Sequence, residues 1–196
     1  MEEIEIRGKL EKADFERLKK LFSEKGKLIR HYFRLSADIS PGFDPQTRSW
    51  PKPDLIDLRV RKSNEKEVII IKIGDYADKV RKEIEVELKE GQLIKALGLL
   101  ETMGFGQGMI YFGQSWEYKY KEFEVKLVQY GDNYFNWEIE SHQKSLDPDR
   151  LAEELGLTPL TREEFKKEVD WQNQNLHQLY SLKAVERILS KNFKDE

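Results

Sequence analysis

Charged side chains alternate with aliphatic ones in several short segments of this chain. Residues 3–7 read Glu-Ile-Glu-Ile-Arg. Successive side chains of a β-strand point to opposite faces, so this segment predicts a strand with its charges on one face. A single strand of this kind is typical of a solvated surface. The plan recurs, however, at Asp57, Arg59 and Arg61, at Arg81, Glu83, Glu85 and Glu87, and at Glu138 and Glu140.

The two kinds of charge on this predicted face suit two kinds of partner. Glutamate oxygens are good ligands for hard divalent cations such as Mg²⁺ or Mn²⁺. Arginine donates to phosphate oxygens in a bidentate fashion. A metal-polyphosphate complex requires both groups at once. The chain has no glycine-rich P-loop motif, so we expect side chains to hold the phosphates.

Two architectures are compatible with about eight antiparallel strands that share a charged face. They could form an open sheet with one wet face, or a closed barrel with its charges inside. Lys72 lies within an otherwise apolar run, Val-Ile-Ile-Ile-Lys-Ile. Burying an unpaired lysine is costly, so it is either paired inside the fold or guards an edge strand against aggregation.

Composition narrows the class of protein. The chain has 196 residues, of which 38% are hydrophobic and 36% charged, and a net charge of -3. That charge argues against a general nucleic-acid binder. There is no cysteine, which excludes disulfides and thiolate zinc sites. No stretch approaches the roughly 20 apolar residues of a membrane span, so we expect a cytoplasmic protein.

The remaining patterns predict helices and loops. Helices are expected over residues 13–25 and 92–103, and a proline-rich loop over 36–53. Asp147, Pro148 and Gly156 have the spacing of a capped helix, and Thr161 and Glu164 that of a capping box. An apolar stripe then predicts one long or two shorter helices ending near Asn192. We expect a domain over 1–145 and a C-terminal helical extension over 146–196.

Six short motifs, in order along residues 3–140, resemble the CYTH superfamily, the triphosphate tunnel metalloenzymes. Residues 3–7 resemble the family's ExExK signature, with arginine in place of lysine. His31-Tyr32-Phe33, Leu58-Arg59-Val60-Arg61 and Ile71-Lys72 resemble three of its later strands. Arg81-x-Glu83-x-Glu85 and Glu138-Ile139-Glu140 resemble the R-x-E-x-E strand and the strand that closes the tunnel.

The resemblance implies an α+β protein built on an eight-stranded antiparallel β-barrel, a tunnel with flanking helices and a helical C-terminal extension. It implies a triphosphate ligand with Mg²⁺ or Mn²⁺. The implied metal ligands are Glu3, Glu5, Glu83, Glu85, Glu138 and Glu140. Arg7 and Lys72 take catalytic positions, and Arg59, Arg61, Arg81 and Lys126 are expected to bind substrate. A proton-transfer role is doubtful for Arg7, since arginine stays protonated.

The predicted sixth strand departs from the family pattern. Tyr111 and Gly113 stand where the family has a K-x-R pair, and Lys126, Arg30 and Arg34 are the candidate replacements.

The Glu and Arg pattern of the strands favours a metal-dependent triphosphatase acting on inorganic tripolyphosphate, a nucleoside triphosphate or thiamine triphosphate. A non-catalytic phosphoryl-ligand or protein-binding module on the same fold, and a class IV adenylyl cyclase, are the alternatives. No membrane partner is expected, and the sequence is compatible with a homodimer.

Overall fold

A computed structural model describes residues 4–50, 56–64, 66–74, 82–141, 143 and 145–193 of the chain. Two of the predicted site residues, Glu3 and Arg81, lie outside these described residues, as does His142.

The described residues form an α+β structure with one antiparallel sheet. Its strands are β1 (Ile4–Leu10), β2 (Lys27–Ile39), β3 (Ile56–Ser63), β4 (Lys66–Ile73), β5 (Lys82–Leu88), β6 (Gly108–Tyr120), β7 (Phe123–Tyr130), β8 (Tyr134–Ser141) and the short β9 (Gln178–Leu179). The strand order is β1-β8-β7-β6-β2-β3-β4-β5, and β9 pairs with β6. The predicted fold class and antiparallel arrangement are confirmed to this extent.

Five helices accompany the sheet within the described residues. They are α1 (Lys12–Lys25), α2 (Leu93–Thr102), α3 (Pro148–Leu155), α4 (Arg162–Asn175) and α5 (Leu182–Asn192). None of these helices has the length and apolar character needed to cross a membrane.

The described chain divides into two compact units. The first unit comprises residues 4–32, 113–141, 143 and 145–167, and the second comprises 33–50, 56–64, 66–74, 82–112 and 168–193. The proposed boundary between residues 145 and 146 stays a prediction.

The first unit packs α1 and α3 on the apolar face of its strands. Phe15, Leu18 and Phe22 recur at helical spacing on α1 and are buried. They join Trp137 and Ile139 of β8, which are fully buried. Because alternate residues of a strand face opposite ways, Glu138 and Glu140 are turned to the other face of β8.

The second unit follows the same plan with α2 and α5. Leu93 and Leu97 of α2 and Val185 of α5 pack with Leu58 and Val60 of β3 in one buried cluster. The intervening positions of β3 carry Asp57, Arg59 and Arg61. In each unit, therefore, two helices pack on the aliphatic face of the strands, and the charged side chains lie on the opposite face.

Two strands are longer than the sequence patterns indicate. β2 continues through Ile39, so Ser36–Ile39 is strand and not the start of the predicted loop. β6 continues from the predicted end at Trp116 to Tyr120. In both cases alternation persists beyond the predicted end, and the extra residues place Ser36, Asp38 and Glu117 on the charged face.

The local signals in the last quarter of the chain are confirmed. Asp147 accepts a hydrogen bond from the backbone N–H of Asp149, and Gly156 ends α3 in the left-handed conformation. The N–H of Thr161 donates to Glu164 and the N–H of Glu164 donates to Thr161, which is the predicted capping box. The apolar stripe is divided by β9 between two helices, α4 and α5.

Candidate functional site

Strand register assembles a carboxylate cluster in the first unit. Glu5 of β1 lies directly opposite Glu140 of β8, with Glu138 two residues along. One oxygen from each of these three side chains lies within 4.8 Å of the others. We call Glu5, Glu138 and Glu140 the carboxylate cluster. It brings together three of the six residues that the sequence predicts as metal ligands.

Two cations of the same unit contact this cluster. The Arg7 guanidinium lies 2.6 Å from a carboxylate oxygen of Glu5, and it also lies over the ring of Phe165. The Lys126 ammonium donates to Glu138 and lies 3.3 Å from Glu140. Lys126 was predicted to bind substrate; in this structure it is ion-paired with two of the predicted metal ligands.

The environment of Glu5 disfavours its charge. Burial raises the pKa of Glu5, and the negative charges of Glu138 and Glu140 raise it further, while Arg7 and Lys126 act in the opposite direction. The net effect is a raised pKa. Three carboxylates therefore share a half-buried site with two cations, and burial is the main reason that the charged form of Glu5 is disfavoured.

A second acidic position in the first unit was missed by the sequence analysis. Glu117 of β6 is buried and accepts hydrogen bonds from Arg30 and from the hydroxyl of Tyr32. Burial acts to raise the pKa of Glu117, but the hydrogen bond from Arg30 and the charge of Lys126 outweigh it and hold the pKa below its usual value. The alternation of Trp116, Glu117 and Tyr118 was the available signal.

Arg59 in the second unit forms ion pairs with the carboxylates of Asp57 and Asp38. Its Nε lies 2.7 Å from Asp57, and a second nitrogen bonds to the other oxygen of that carboxylate. Asp38, directly across from Arg59 on β2, lies 3.4 Å away. Burial acts to lower the pKa of Arg59, but the two carboxylates raise it well above its usual value. Arg59 is a permanent, firmly oriented cation.

Arg61 lies in a different electrostatic environment. Its Nε donates to the Ser36 hydroxyl at 3.2 Å, and Ser36 in turn donates to Asp38. Within the described part of the chain, no carboxylate forms an ion pair with Arg61. Burial, and then the positive charges of Arg59 and Arg34, lower the pKa of Arg61 to about 10. This guanidinium is half-buried and forms no ion pair within the described residues.

Lys72 completes what we call the cationic cluster, Arg59, Arg61 and Lys72. Its ammonium lies 2.6 Å from Glu83 of β5. Burial and the neighbouring Arg59 lower the pKa of Lys72 even though Glu83 opposes them. β4 lies between β3 and β5, so the alternative that Lys72 guards an edge strand is wrong.

Glu83 and Glu85 take part in ion pairs on the edge of the second unit. Glu83 pairs with Lys72, and Glu85 lies 2.7 Å from Lys66 at an exposed position. The group of carboxylates with metal-ligand spacing that the structure places among the described residues does not include them. A metal-binding role for these two residues stays a prediction.

The structure shows what surrounds Tyr111 and Gly113, the two positions of β6 that depart from the family pattern. The Tyr111 hydroxyl donates to the side chain of Asn173, and its ring lies 4.0 Å from that of His177. At Gly113, a Cβ would lie 2.6 Å from the backbone oxygen of Gln129. Tyr111 thus contacts Asn173 and His177, and the close backbone approach at Gly113 leaves no room for a side chain there.

The fold is shared with solved structures of low sequence identity. A protein from Pyrococcus horikoshii is 22% identical with a TM-score of 0.61, over 84% of this chain and 99% of its own. A candidate adenylate cyclase from Vibrio parahaemolyticus is 16% identical with a TM-score of 0.54, over 97% and 98%. A candidate adenylyl cyclase from Hippeastrum, described as having a dominant triphosphatase activity, is 18% identical with a TM-score of 0.51, over 81% and 90%.

No protein-family model matches the chain, and no curated protein matches it by sequence. The similarity to the solved structures is therefore a similarity of fold. It agrees with the fold expected from the CYTH resemblance.

Proposed function

We propose that this protein is a metal-dependent phosphohydrolase that binds a triphosphate, with inorganic tripolyphosphate, nucleoside triphosphates and thiamine triphosphate as candidate substrates. The observation that carries the proposal is the state of Arg61. Among the described residues no carboxylate forms an ion pair with Arg61, and a half-buried guanidinium of this kind, beside a second arginine, is costly unless an anion binds there. Phosphate oxygens match the donor geometry of arginine.

In the proposal, the cationic cluster would bind the phosphates and the carboxylate cluster would bind the metal. Arg59, Arg61 and Lys72 would donate to phosphate oxygens, with Arg81 as a further predicted partner. These groups would stabilise the negative charge on the phosphoryl group while the terminal P–O bond breaks and water adds to phosphorus. Because Asp57 orients Arg59 before any ligand arrives, that donor is preorganised.

The carboxylate cluster fits a divalent cation. Its donors are all carboxylate oxygens, and their spacing is compatible with a shared ion. Burial, with a smaller contribution from Glu138 and Glu140, raises the pKa of Glu5. Glu5, Glu138 and Glu140, with Glu3 as a predicted fourth, would hold Mg²⁺ or Mn²⁺. Such an ion neutralises phosphate charge and orients the attacking water when bound. The proposal includes closure of the sheet into a tunnel and a cytoplasmic location.

Two further observations support hydrolysis as the reaction. A protein that shares the fold is described as having a dominant triphosphatase activity. The charged side chains are also those that phosphoryl transfer needs, since positioning and electrostatic stabilisation do most of the work in that reaction. Neither observation identifies the substrate.

Phosphate release tests the proposal directly. Purified protein with Mg²⁺ or Mn²⁺ is incubated with tripolyphosphate, ATP and thiamine triphosphate, and turnover is compared with that of Arg61→Gln and Glu5→Gln. We expect turnover of at least one substrate and a loss of about 10- to 100-fold in each variant, the equivalent of one charged hydrogen bond. Arg150→Gln, at an exposed position on α3, is the matched control and should keep full activity.

A non-catalytic ligand-binding module is the second candidate. It is favoured because the structure pairs most cations of the predicted site with the chain's own carboxylates, and because Tyr111 and Gly113 replace a basic pair. Calorimetry that shows tight tripolyphosphate binding without phosphate release would select it.

Formation of cyclic AMP from ATP would instead select the class IV adenylyl cyclase. If the protein neither binds nor turns over any triphosphate, the proposal is wrong.

A further inference from the structure

Lys126 occupies a central position in a row of alternating charge across the first unit. Strand register places Arg7 opposite Glu138, Glu138 opposite Lys126, and Lys126 opposite Glu117. All four side chains lie on the same face of the strands, opposite the face that packs against α1 and α3. The positive charge of Lys126 is therefore directed to the carboxylates by the pairing of β6, β7 and β8, and not by a flexible surface contact.

The contacts of Lys126 overlap with the candidate metal ligands. Its ammonium donates to Glu138 and lies 3.3 Å from Glu140, and both belong to the carboxylate cluster. The Lys126 side chain is only 12% exposed, so solvent screens these contacts less than it screens a surface ion pair. A carboxylate oxygen that accepts a hydrogen bond from Lys126 has less capacity to ligate a cation.

We infer that Lys126 is a built-in counter-ion that competes with a divalent cation for Glu138 and Glu140. The inference rests on the proposed function, whose metal site it describes further. Metal alone must displace the ammonium from carboxylates that have already paired with it.

The test measures metal binding without any phosphorylated ligand. Mn²⁺ is titrated into wild-type protein, Lys126→Met and Lys126→Gln, and the affinity is read by calorimetry and by the Mn²⁺-dependent rise in Tm. Methionine keeps the apolar stem of the side chain and glutamine keeps a neutral donor. Removing a competing charged hydrogen bond should tighten Mn²⁺ binding by about tenfold or more.

Lys121→Met is the matched control in the same unit. Lys121 pairs with Glu154 at an exposed position, so its loss changes the net charge equally without touching the carboxylate cluster. It should leave Mn²⁺ affinity at the wild-type value. If metal-free Lys126→Met is too unstable to purify, Lys126→Gln and the Mn²⁺-dependent Tm provide the same comparison.

The outcomes separate this inference from the proposed function. Wild-type protein that binds Mn²⁺ as tightly as Lys126→Met and Lys126→Gln would overturn the inference and leave the metal site in place. Absence of Mn²⁺ binding in wild type and in all variants would overturn the metal site of the proposed function, and the inference with it. Tighter binding in the Lys126 variants but not in Lys121→Met supports both.

Discussion

The two units share the same alternation of charged and aliphatic residues along their strands, but their clustered charges are of opposite sign. The first unit gathers Glu5, Glu138 and Glu140, and its carboxylates outnumber the cations that contact them. The second gathers Arg59, Arg61 and Lys72, and Arg61 remains without a carboxylate partner among the described residues. An excess of one sign near a buried position is expensive in a metal-free, anion-free protein. In the proposed function, the carboxylate cluster would bind a cation and the cationic cluster an anion.

The two units also differ in where the group that offsets the clustered charge lies. In the second unit, Asp57 sets the orientation of Arg59 through a two-point contact. In the first unit, Lys126 is the compensating group and it lies among the carboxylates themselves. In the proposals made above, the contact with Asp57 would orient Arg59 toward a ligand, whereas Lys126 would compete with one.

The largest expected effect is a separation of ligand responses between the units. Tripolyphosphate without metal should stabilise wild type through the cationic cluster, and Mn²⁺ alone should stabilise it through the carboxylate cluster. At a concentration of about 100 times Kd, each stabilises by about 2.7 kcal/mol, a rise in Tm of roughly 5–10 °C. Arg61→Gln should remove only the tripolyphosphate response and Glu5→Gln only the Mn²⁺ response, as measured by differential scanning calorimetry. A variant that loses both responses would show that the division is wrong.

The next effect is the cost of removing a compensating carboxylate from the second unit. Asp57→Asn takes away the negative charge that Arg59 contacts and should destabilise the protein by about 2 kcal/mol. Urea unfolding of the ligand-free protein measures this change. Asp14→Asn is the control, because Asp14 pairs with Arg17 at an exposed position of α1 and should cost less than about 0.5 kcal/mol. Equal losses in the two variants would mean that Arg59 gains nothing from its surroundings.

A substitution of the same kind in the first unit should have the opposite sign. Glu5→Gln removes one of three clustered carboxylates, whose ionised form is disfavoured by burial and by Glu138 and Glu140. The metal-free variant should be more stable than wild type by up to about 1 kcal/mol at neutral pH. The comparison is with Glu16→Gln, at an exposed position of α1, which should not change the free energy of unfolding. Destabilisation by Glu5→Gln would show that the Arg7 ion pair dominates the site.

The smallest effects concern pH. Burial raises the pKa of Asp38 despite the opposing charge of Arg59, so its contribution to stability is complete below the unfolded value of 3.8 and is lost as pH rises through the folded pKa. Glu117 behaves conversely, because its folded pKa is lowered. Its contribution is complete above the unfolded value of 4.5 and is lost as pH falls through the folded pKa.

Unfolding free energies of Asp38→Asn and Glu117→Gln, measured between about pH 3 and pH 7, test this difference. The advantage of wild type over Asp38→Asn should shrink as pH rises, and its advantage over Glu117→Gln should grow. Parallel pH profiles for the two variants would contradict the assignment of opposite environments.

Local pattern was sufficient for the elements and for the faces of the strands. Alternation placed Glu5 and Arg7 on one face of β1, and Arg59 and Arg61 on one face of β3, because the period of a strand is set by backbone geometry alone. Caps at Asp147 and Thr161 followed from the same short-range chemistry. The end of β2 at Ser36–Ile39 was missed because the prolines that follow it indicate a loop, and Glu117 was missed although alternation continues beyond Trp116.

What the sequence by itself determined is which side chains share a face, because that depends on residues two positions apart. Only the tertiary structure decided which charged side chains contact each other across strands, because strand register joins residues far apart in sequence. Register sets Lys126 against Glu138 and places Ser36 beside Arg61. The pairing left Arg61 with a hydroxyl and Lys126 among carboxylates, and these two outcomes carry the functional proposals.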